Sequence, residues 1–284
     1  MDRIYFEDIH TATTAYPYID LQMKNINYIA HFHEEIEVVY VQEGELFAAS
    51  DTAHLQLRKN DICVFMPGEI HSFHSFSSNH IYIIKILPEP SAAGIHFSRL
   101  RLVGQPIQPA QKGYRTLLHA IQKIAAEHTA QEYGYEYAVN QYLNRFLAVL
   151  LRNFEFNTVS PEERRQMERK MLLLRRVEEF VSQQYGHSIT LDEAASYCGY
   201  SKYYFSHYFK EIAGISFLDY LTAFRINAAR SRIELTGESL TEIAFACGFG
   251  STRSFNRAFQ RYYHITPTDF RKQIKGPLNR QAAH

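Results

Sequence analysis

Two short runs of this 284-residue chain carry side chains suited to reading a nucleic acid. The first holds Lys202, Tyr203, Ser206, His207 and Lys210, and the second Thr252, Arg253, Asn256, Arg257 and Arg261. Steps of one, three and four residues put each set on one face of a helix. Arg forks onto the two acceptors of a guanine edge and Asn pairs with adenine, while Lys and Arg at the margins neutralise phosphates. A solvated, mildly basic helix face uses the same residue types, and one run alone does not separate the two explanations. The pair does, because the runs belong to two copies of one pattern.

The elements that position them follow from that duplication. Leu191-Asp192-Glu193-Ala194-Ala195-Ser196-Tyr197-Cys198-Gly199-Tyr200 matches Leu240-Thr241-Glu242-Ile243-Ala244-Phe245-Ala246-Cys247-Gly248-Phe249. After a one-residue slip at Gly250, Ser201, Phe205, Phe209, Ile215 and Tyr220 pair with Ser251, Phe255, Phe259, Ile265 and Phe270. Each copy has the parts of a helix-turn-helix: a short helix with buried Leu and Ala, a Gly able to take positive φ, and a second helix. Ser201 and Ser251 can accept a bond from an unpaired amide of that second helix's first turn. Phe205, Phe209 and Ile212, like Phe255, Phe259 and Tyr262, fix its inward face. Phe217 to Leu235 joins the copies as one long helix, with Leu218, Leu221, Phe224, Ala228 and Ile233 on its inner side and Thr236-Gly237 closing it.

The run Ile243-Ala244-x-x-Cys247-Gly248-Phe249, Phe255-x-Arg257-x-Phe259 and Ile265-x-Pro267-x-x-Phe270-Arg271 resembles the signature of AraC-type transcription regulators. The resemblance covers about the last hundred residues. It implies two recognition helices entering successive major grooves on one face of double-stranded DNA. By it, the base-reading positions fall on Tyr203, Ser206 and His207 and on Thr252, Arg253, Asn256 and Arg257. Ser206 and His207 stand where relatives often carry longer or more basic side chains, which shifts the expected specificity toward the second helix.

Composition sets limits. At 46% hydrophobic and 21% charged, the chain suits two compact domains rather than a disordered polymer. Net charge is zero, yet from Lys170 to Lys275 there are 14 Lys or Arg against 10 Asp or Glu. So modest a surplus favours a positioned face over bulk attraction, with affinity falling as salt rises. Three cysteines, Cys63, Cys198 and Cys247, lack framework spacing and read as reduced thiols. The acidic start, Met1 to Asp8, lacks the apolar core of a signal peptide, and Phe146–Leu151 is far too short to span a membrane. The expected location is the cytoplasm, with no membrane partner.

The first hundred residues read as short strands: 35–41, 47–49, 55–57, 62–66 and 81–87, with a turn at Pro67-Gly68 and a further strand after it. Near-regular spacing suggests a barrel or sandwich. Within it His31-x-His33-x-x-x-Glu37, ending at Gly44, and Asn60-Asp61 followed by Pro67-Gly68-x-x-His71 resemble the two motifs of the cupin barrel. Two departures stand out: Asn60 replaces the usual Gly, and the loop before His71 is one residue short.

In metal-bearing cupins the corresponding residues converge on a divalent metal, for which imidazole and carboxylate are suitable ligands. Three readings of the quartet stay open: a metal centre, metal-free contacts to a ligand, or a structural polar cluster. AraC-type regulators commonly carry a cupin-like barrel that binds a sugar or another small polar effector without metal. That resemblance orders the readings, so the expected effector contacts are His31, His33, Glu37 and His71 with Tyr40 and Phe73, and neither metal nor cofactor is expected. Phe65 and Tyr82 could add apolar surface, whereas His74 and His80 lie beyond the motif.

From Ala110 to about Phe156 the period turns helical, with stripes at Leu117, Leu118, Ile121 and Ile124 and at Tyr137 to Leu150, broken at Gly134. In similar regulators this region dimerises; packing onto the barrel alone is the simpler alternative. Ser160-Pro161-Glu162-Glu163-Arg164-Arg165 is charged and poor in apolar residues, which marks a linker.

The expected fold is thus α+β: a cupin-like effector barrel over 1–108, a helical dimerisation region over 109–157, a linker over 158–170 and a double helix-turn-helix unit over 171–275. The expected function is a homodimeric, non-enzymatic transcription regulator under a small-molecule, sugar-type effector. A metal-dependent cupin enzyme fused to a DNA-binding unit, and a constitutive regulator whose barrel only dimerises, are the alternatives.

Overall fold

The computed structural model describes residues 17–274 except 24–25, 27, 51–52, 77, 88–93 and 264. The amino end read at Met1 to Asp8 and the tail after Lys275 lie outside the described residues. In chain order the elements begin with β1 (Tyr18–Met23), β2 (Tyr28–His31), β3 (Ile36–Glu43), β4 (Glu45–Ser50) and β5 (His54–Arg58). Next come β6 (Ile62–Phe65), β7 (His71–His74), β8 (His80–Ile86), β9 (Leu100–Leu102), α1 (Tyr114–Ala130), α2 (Tyr135–Asn153) and β10 (Phe156–Thr158). The helices α3 (Pro161–Gln184), α4 (Leu191–Tyr197), α5 (Lys202–Ala213), α6 (Phe217–Leu235), α7 (Leu240–Ala246), α8 (Thr252–Tyr263) and α9 (Pro267–Ile274) complete the chain. Two compact units result, one containing β1 and Phe32–Glu168, the other Ile26–His31 and Arg169 onward. The fold is α+β.

In the first unit one antiparallel sheet runs β1-β8-β3-β6 and a second pairs β7, β4 and β5. β3 is central and is buried on both faces, which is why it reads as a continuous apolar run rather than an alternating one. Its side chains still alternate. Ile36, Val38 and Tyr40 join Val64, Ile84 and Ile86 beneath α1 and α2, where Leu117, Ile121, Leu143, Phe146 and Leu150 complete one core. Burying each of those large side chains stabilises the unit by about 1.5–3 kcal/mol. Glu37, Val39 and Val41 point the other way. Gly134 breaks the two helices apart in the left-handed region, as its position between the stripes required.

Asn60, the residue found where Gly was expected, sits at φ 72°. Asn is among the few side chains that tolerate this region, so the substitution preserves the turn. Its carbonyl oxygen accepts from Tyr114 Oη at 2.6 Å and its Oδ1 from Tyr40 Oη at 3.1 Å.

In the second unit the two copies fold alike. Thr190 and Glu193 form a capping box at α4, and Ser239 and Glu242 do the same at α7. Gly199 and Gly248 both turn at φ 78°, and Ser201 and Ser251 cap α5 and α8 through Tyr204 N and Ser254 N. Around α8, Phe255, Phe259, Tyr263 and Phe270 pack against Ile226, Ala229 and Ile233 of α6. α6 takes the bounds read for the joining helix, although Leu218, assigned inward, is exposed; Tyr220 and Ala223 are buried instead.

One expected boundary is corrected. Residues 158–170 do not form an irregular linker, because α3 starts at Pro161 and runs through them. Ser160 and Glu163 exchange capping bonds, Ser160 N donating at 2.7 Å and Glu163 N at 3.2 Å. Pro161 suits the first helical position, and Arg164–Glu168 and Glu162–Arg165 pair along the surface. A charged helix without an apolar stripe gives no periodic signal, so composition alone misread it.

Candidate functional site

The expected base-reading residues lie on the solvent sides of α5 and α8. Lys202, Tyr203, His207 and Lys210 are exposed and Ser206 is half-buried; Thr252, Arg253, Asn256, Arg257 and Arg261 are all exposed. The buried Phe205–Phe209 and Phe255–Phe259 pairs anchor the opposite sides. The two faces differ in charge. Lys202 Nζ lies 2.5 Å from Asp192 Oδ2, so its charge is met within the first motif. Tyr203 and His207 rings sit 4.4 Å apart beside it, and Tyr200, Tyr204 and Tyr208 form a further aromatic row. On α8, Arg261 turns back toward Asp219 at 3.6 Å and over the Tyr262 ring. Among the described residues no ion pair holds Arg253 or Arg257, and with Asn256 between them they present a fork–amide–fork row.

The second candidate site lies in the β unit. Glu37 on β3 stands opposite Phe65 on β6 and Lys85 on β8. Its Oε2 accepts from His33 Nε2 at 2.8 Å, with Lys85 Nζ at 3.2 Å and His71 Nε2 at 3.5 Å. His71 is oriented by its Nδ1, 2.8 Å from the Glu69 carbonyl oxygen, and stacks on Phe65 at 4.4 Å. Phe73 meets both rings edge-on. Glu37 is fully buried, and its Oε1 has no hydrogen-bond partner among the described residues. An orphaned buried acceptor costs on the order of 1–3 kcal/mol until a donor reaches it.

Electrostatics holds the His33–Glu37 pair charged. Burial by itself would favour neutral Glu37, but hydrogen bonds from His33 and His71 and their charges outweigh it and lower its pKa. Burial likewise pulls His33 down, yet its bonds to Glu35 and Glu37 prevail and raise it to about 9. Burial pushes the Lys85 ammonium down to about 7, against the Glu37 carboxylate beside it.

The expected effector residues do not all gather here. His31, His33, Glu37 and His71 each offer a ligand atom within 4.8 Å of the others, and Phe73 packs edge-on against His71. His31 ends β2, its Nδ1 2.8 Å from the Ile29 carbonyl oxygen and its ring edge-on to Tyr28. Tyr40 is a correction: three residues from Glu37, it faces the opposite side of the sheet, in the core beneath α1 and α2 and against Tyr82. An odd offset along a strand reverses the face. The residue missed was Lys85. It hides in an apolar run, yet shares parity with Ile81 and Ile83 on the face toward Glu37, and that parity was its only signal.

The donor types His33, Glu37 and His71 suit a divalent metal, as the cupin motif implies. The ammonium of Lys85 does not, because it already stands at the carboxylate that would have to bind the ion.

A helical unit with two helix-turn-helix motifs and a β unit with a buried polar cluster together define a class, and comparison with known proteins supplies the family. Residues 18–144 match the model of the AraC-like ligand binding domain, and residues 173–273 that of a helix-turn-helix domain. The chain belongs to the AraC-type family of transcription regulators. It is 35% identical over 85 residues to the Transposon Tn10 TetD protein of Escherichia coli, covering 30% of this chain and 62% of that protein. An uncharacterized HTH-type transcriptional regulator of Staphylococcus aureus is 32% identical over 93 residues, which is 33% of this chain and 12% of the relative. Among solved structures, a transcriptional regulator from Chromobacterium violaceum described by its AraC-type DNA-binding domain is similar at 28% identity. That match covers 37% of this chain and 94% of the other, with a TM-score of 0.35. No helix among the described residues is long and apolar enough to cross a membrane.

Proposed function

We propose that this chain is a sequence-specific DNA-binding transcription regulator whose DNA binding is set by a small polar effector held in the β unit. The exposed Arg253-Asn256-Arg257 row on α8 carries the reading: among the described residues no ion pair engages its two guanidinium forks, and the other side of the helix is locked by Phe255 and Phe259. Such a row reads base edges in a major groove, and α5 contributes a second, weaker contact through Tyr203, Ser206 and His207. Lys202, Lys210, Thr252 and Arg261 would line the phosphates.

The effector would donate a hydroxyl proton to Glu37 Oε1 and rest against His33, His71 and Phe73, with His31 two residues upstream of that cluster. A sugar fits this chemistry, since it offers several hydroxyl donors and an apolar ring face for an aromatic side chain. Effector binding would shift the populations of dimer arrangements and so change which pair of DNA sites two helical units reach together. The α1–α2 pair is the proposed dimer contact, and the cytoplasm the proposed compartment.

The test is fluorescence anisotropy of a labelled fragment of the regulator's own upstream DNA, titrated with the full chain, with and without a panel of sugars and polyols. Saturable binding that survives excess random DNA and changes with one panel member supports the reading. Binding no tighter than to random DNA overturns the regulator. Specific binding that no effector bound by the β unit alters overturns the sensor and leaves a constitutive regulator.

A further inference from the structure

We propose that Lys85 is the built-in counter-ion of the Glu37 cluster, standing where a divalent cation would have to be balanced and so keeping the site metal-free. His31, His33, Glu37 and His71 offer three imidazoles and a carboxylate whose ligand atoms lie within 4.8 Å of one another, a set that in isolation would attract a first-row metal. Lys85 changes the balance. It sits on β8, a strand flanked on both sides by β1 and β3, directly opposite Glu37 in register and opposite Tyr18 on the other neighbour. Its side chain is 8% exposed and its Nζ is 3.2 Å from Glu37 Oε2.

The arithmetic of position decides the matter. A metal bound by Glu37 Oε2 must lie about 2.0–2.2 Å from that oxygen, which puts it within roughly 5.4 Å of the ammonium whatever its direction. While Lys85 holds its proton, two positive charges on the metal and one on the ammonium, at that separation and away from water, repel and so oppose what the ligand set gains. Nor can the ammonium step aside cheaply, because its side chain is buried and its departure would leave the buried Glu37 carboxylate without that partner. The cluster therefore satisfies its carboxylate with an internal cation and keeps Glu37 Oε1 for a neutral donor. This inference concerns ions alone and stands whether or not the effector is a sugar.

The test uses the full chain and Co2+ as the probe, because cobalt bound by imidazole and carboxylate shows visible d–d absorption that cobalt on scattered surface histidines does not reproduce. Wild type is expected to show no Glu37-dependent band. Lys85→Met removes the charge and is expected to bind one equivalent of Co2+ at least about 100-fold more tightly than wild type, with a new band. That gain should vanish in Lys85→Met/Glu37→Gln and be absent in Lys85→Arg. Lys85→Gln, which keeps a donor for Glu37 while deleting the charge, repeats the experiment should the Met variant fail to fold by circular dichroism. A wild-type chain that binds one equivalent with a band lost in Glu37→Gln overturns the proposal without any Lys85 variant. So does a folded Lys85→Met or Lys85→Gln that gains no cobalt.

Discussion

The twin turn glycines offer a controlled test of how this helical unit is held together. Gly199 and Gly248 occupy equivalent positions and share φ 78°, so replacing either by Ala incurs the same left-handed penalty, about 1–2 kcal/mol. Their surroundings differ. A Cβ at Gly199 meets nothing nearer than Arg176 Nη1 at 3.9 Å, the far end of a flexible side chain. A Cβ at Gly248 would come 2.2 Å from the Tyr185 carbonyl oxygen and 2.8 and 2.9 Å from Arg225 Nε and Nη2. Those atoms are bonded to each other: Arg225 Nε donates to Tyr185 O at 2.8 Å and Nη2 to His187 O at 2.6 Å. Making room displaces backbone or breaks that fork, adding about 1–3 kcal/mol of overpacking and roughly another 1 kcal/mol for a lost bond. Gly199→Ala is therefore expected to cost about 1–2 kcal/mol and Gly248→Ala about 3–6 kcal/mol. At about 4–8 °C per kcal/mol for a domain near 100 residues, the second variant loses at least about 1.5 times as much in Tm. Urea unfolding followed by far-UV circular dichroism measures both. Equal losses within about 0.5 kcal/mol would falsify the claim that the Tyr185–Arg225–Gly248 approach, rather than the turn alone, sets the second motif's stability.

Arg257→Ala should weaken binding to the specific DNA by about 1–3 kcal/mol, roughly 5- to 150-fold, whereas His207→Ala at the equivalent place on α5 changes it several-fold at most; anisotropy titrations giving the reverse order would refute the division between the helices. Tyr40→Phe removes the bond to Asn60 and should cost about 1 kcal/mol of stability, yet leave effector affinity unchanged because Tyr40 faces the α1–α2 core; a raised Kd by calorimetry would put it back in the site. For pH, His33 is raised from 6.5 to about 9, so its stabilisation is complete below pH 6.5 and is lost as pH climbs through 9. Lys85, lowered from 10.5 to about 7, works in the opposite sense and adds stability from about pH 7 upward. The two trends offset each other between pH 7 and 9 in the wild type, while Lys85→Met should lose up to about 1.4 kcal/mol per pH unit there, measured by urea unfolding at pH 7, 8 and 9; a variant as flat as wild type would mean His33 does not gain its proton from this cluster.

Legibility in the sequence followed the strength of local signals. The helix-turn-helix unit was readable because its pattern occurs twice and every part has a chemical marker: capping Ser, turn Gly, Phe at helical spacing. The motif departure at Asn60 was readable too, and its consequence is small because Asn reaches the same positive φ. What escaped were elements whose support is tertiary. β1, β2, β9 and β10 are short and mixed in polarity, and β10 forms by pairing with β9 more than fifty residues earlier. The first turns of α3 were taken for a linker because their stabilisation comes from a cap and surface ion pairs rather than an apolar stripe. Parity was the lost opportunity in the β unit: counted from Glu37, an odd step excludes Tyr40 and an even count across β8 admits Lys85.

The same reasoning separates the two recognition helices more sharply than their resemblance does. Both copies inherit one backbone, one cap and one inward Phe pair, so selection for folding constrains them alike. Their outward faces are free of that constraint and have diverged in kind: among the described residues no ion pair holds Arg253 or Arg257 on α8, whereas α5 has its leading cation beside Asp192 and sets Tyr and His rings between it and Lys210. A guanidinium pairs with guanine at the cost of its own hydration alone, but Lys202 must first leave a carboxylate 2.5 Å away. Phosphate attraction through α5 is weakened by that competition, while ring faces can still lie against thymine methyl groups. On the proposed reading, the duplicated motif thus gives one strongly directed contact through α8 and one softer contact through α5.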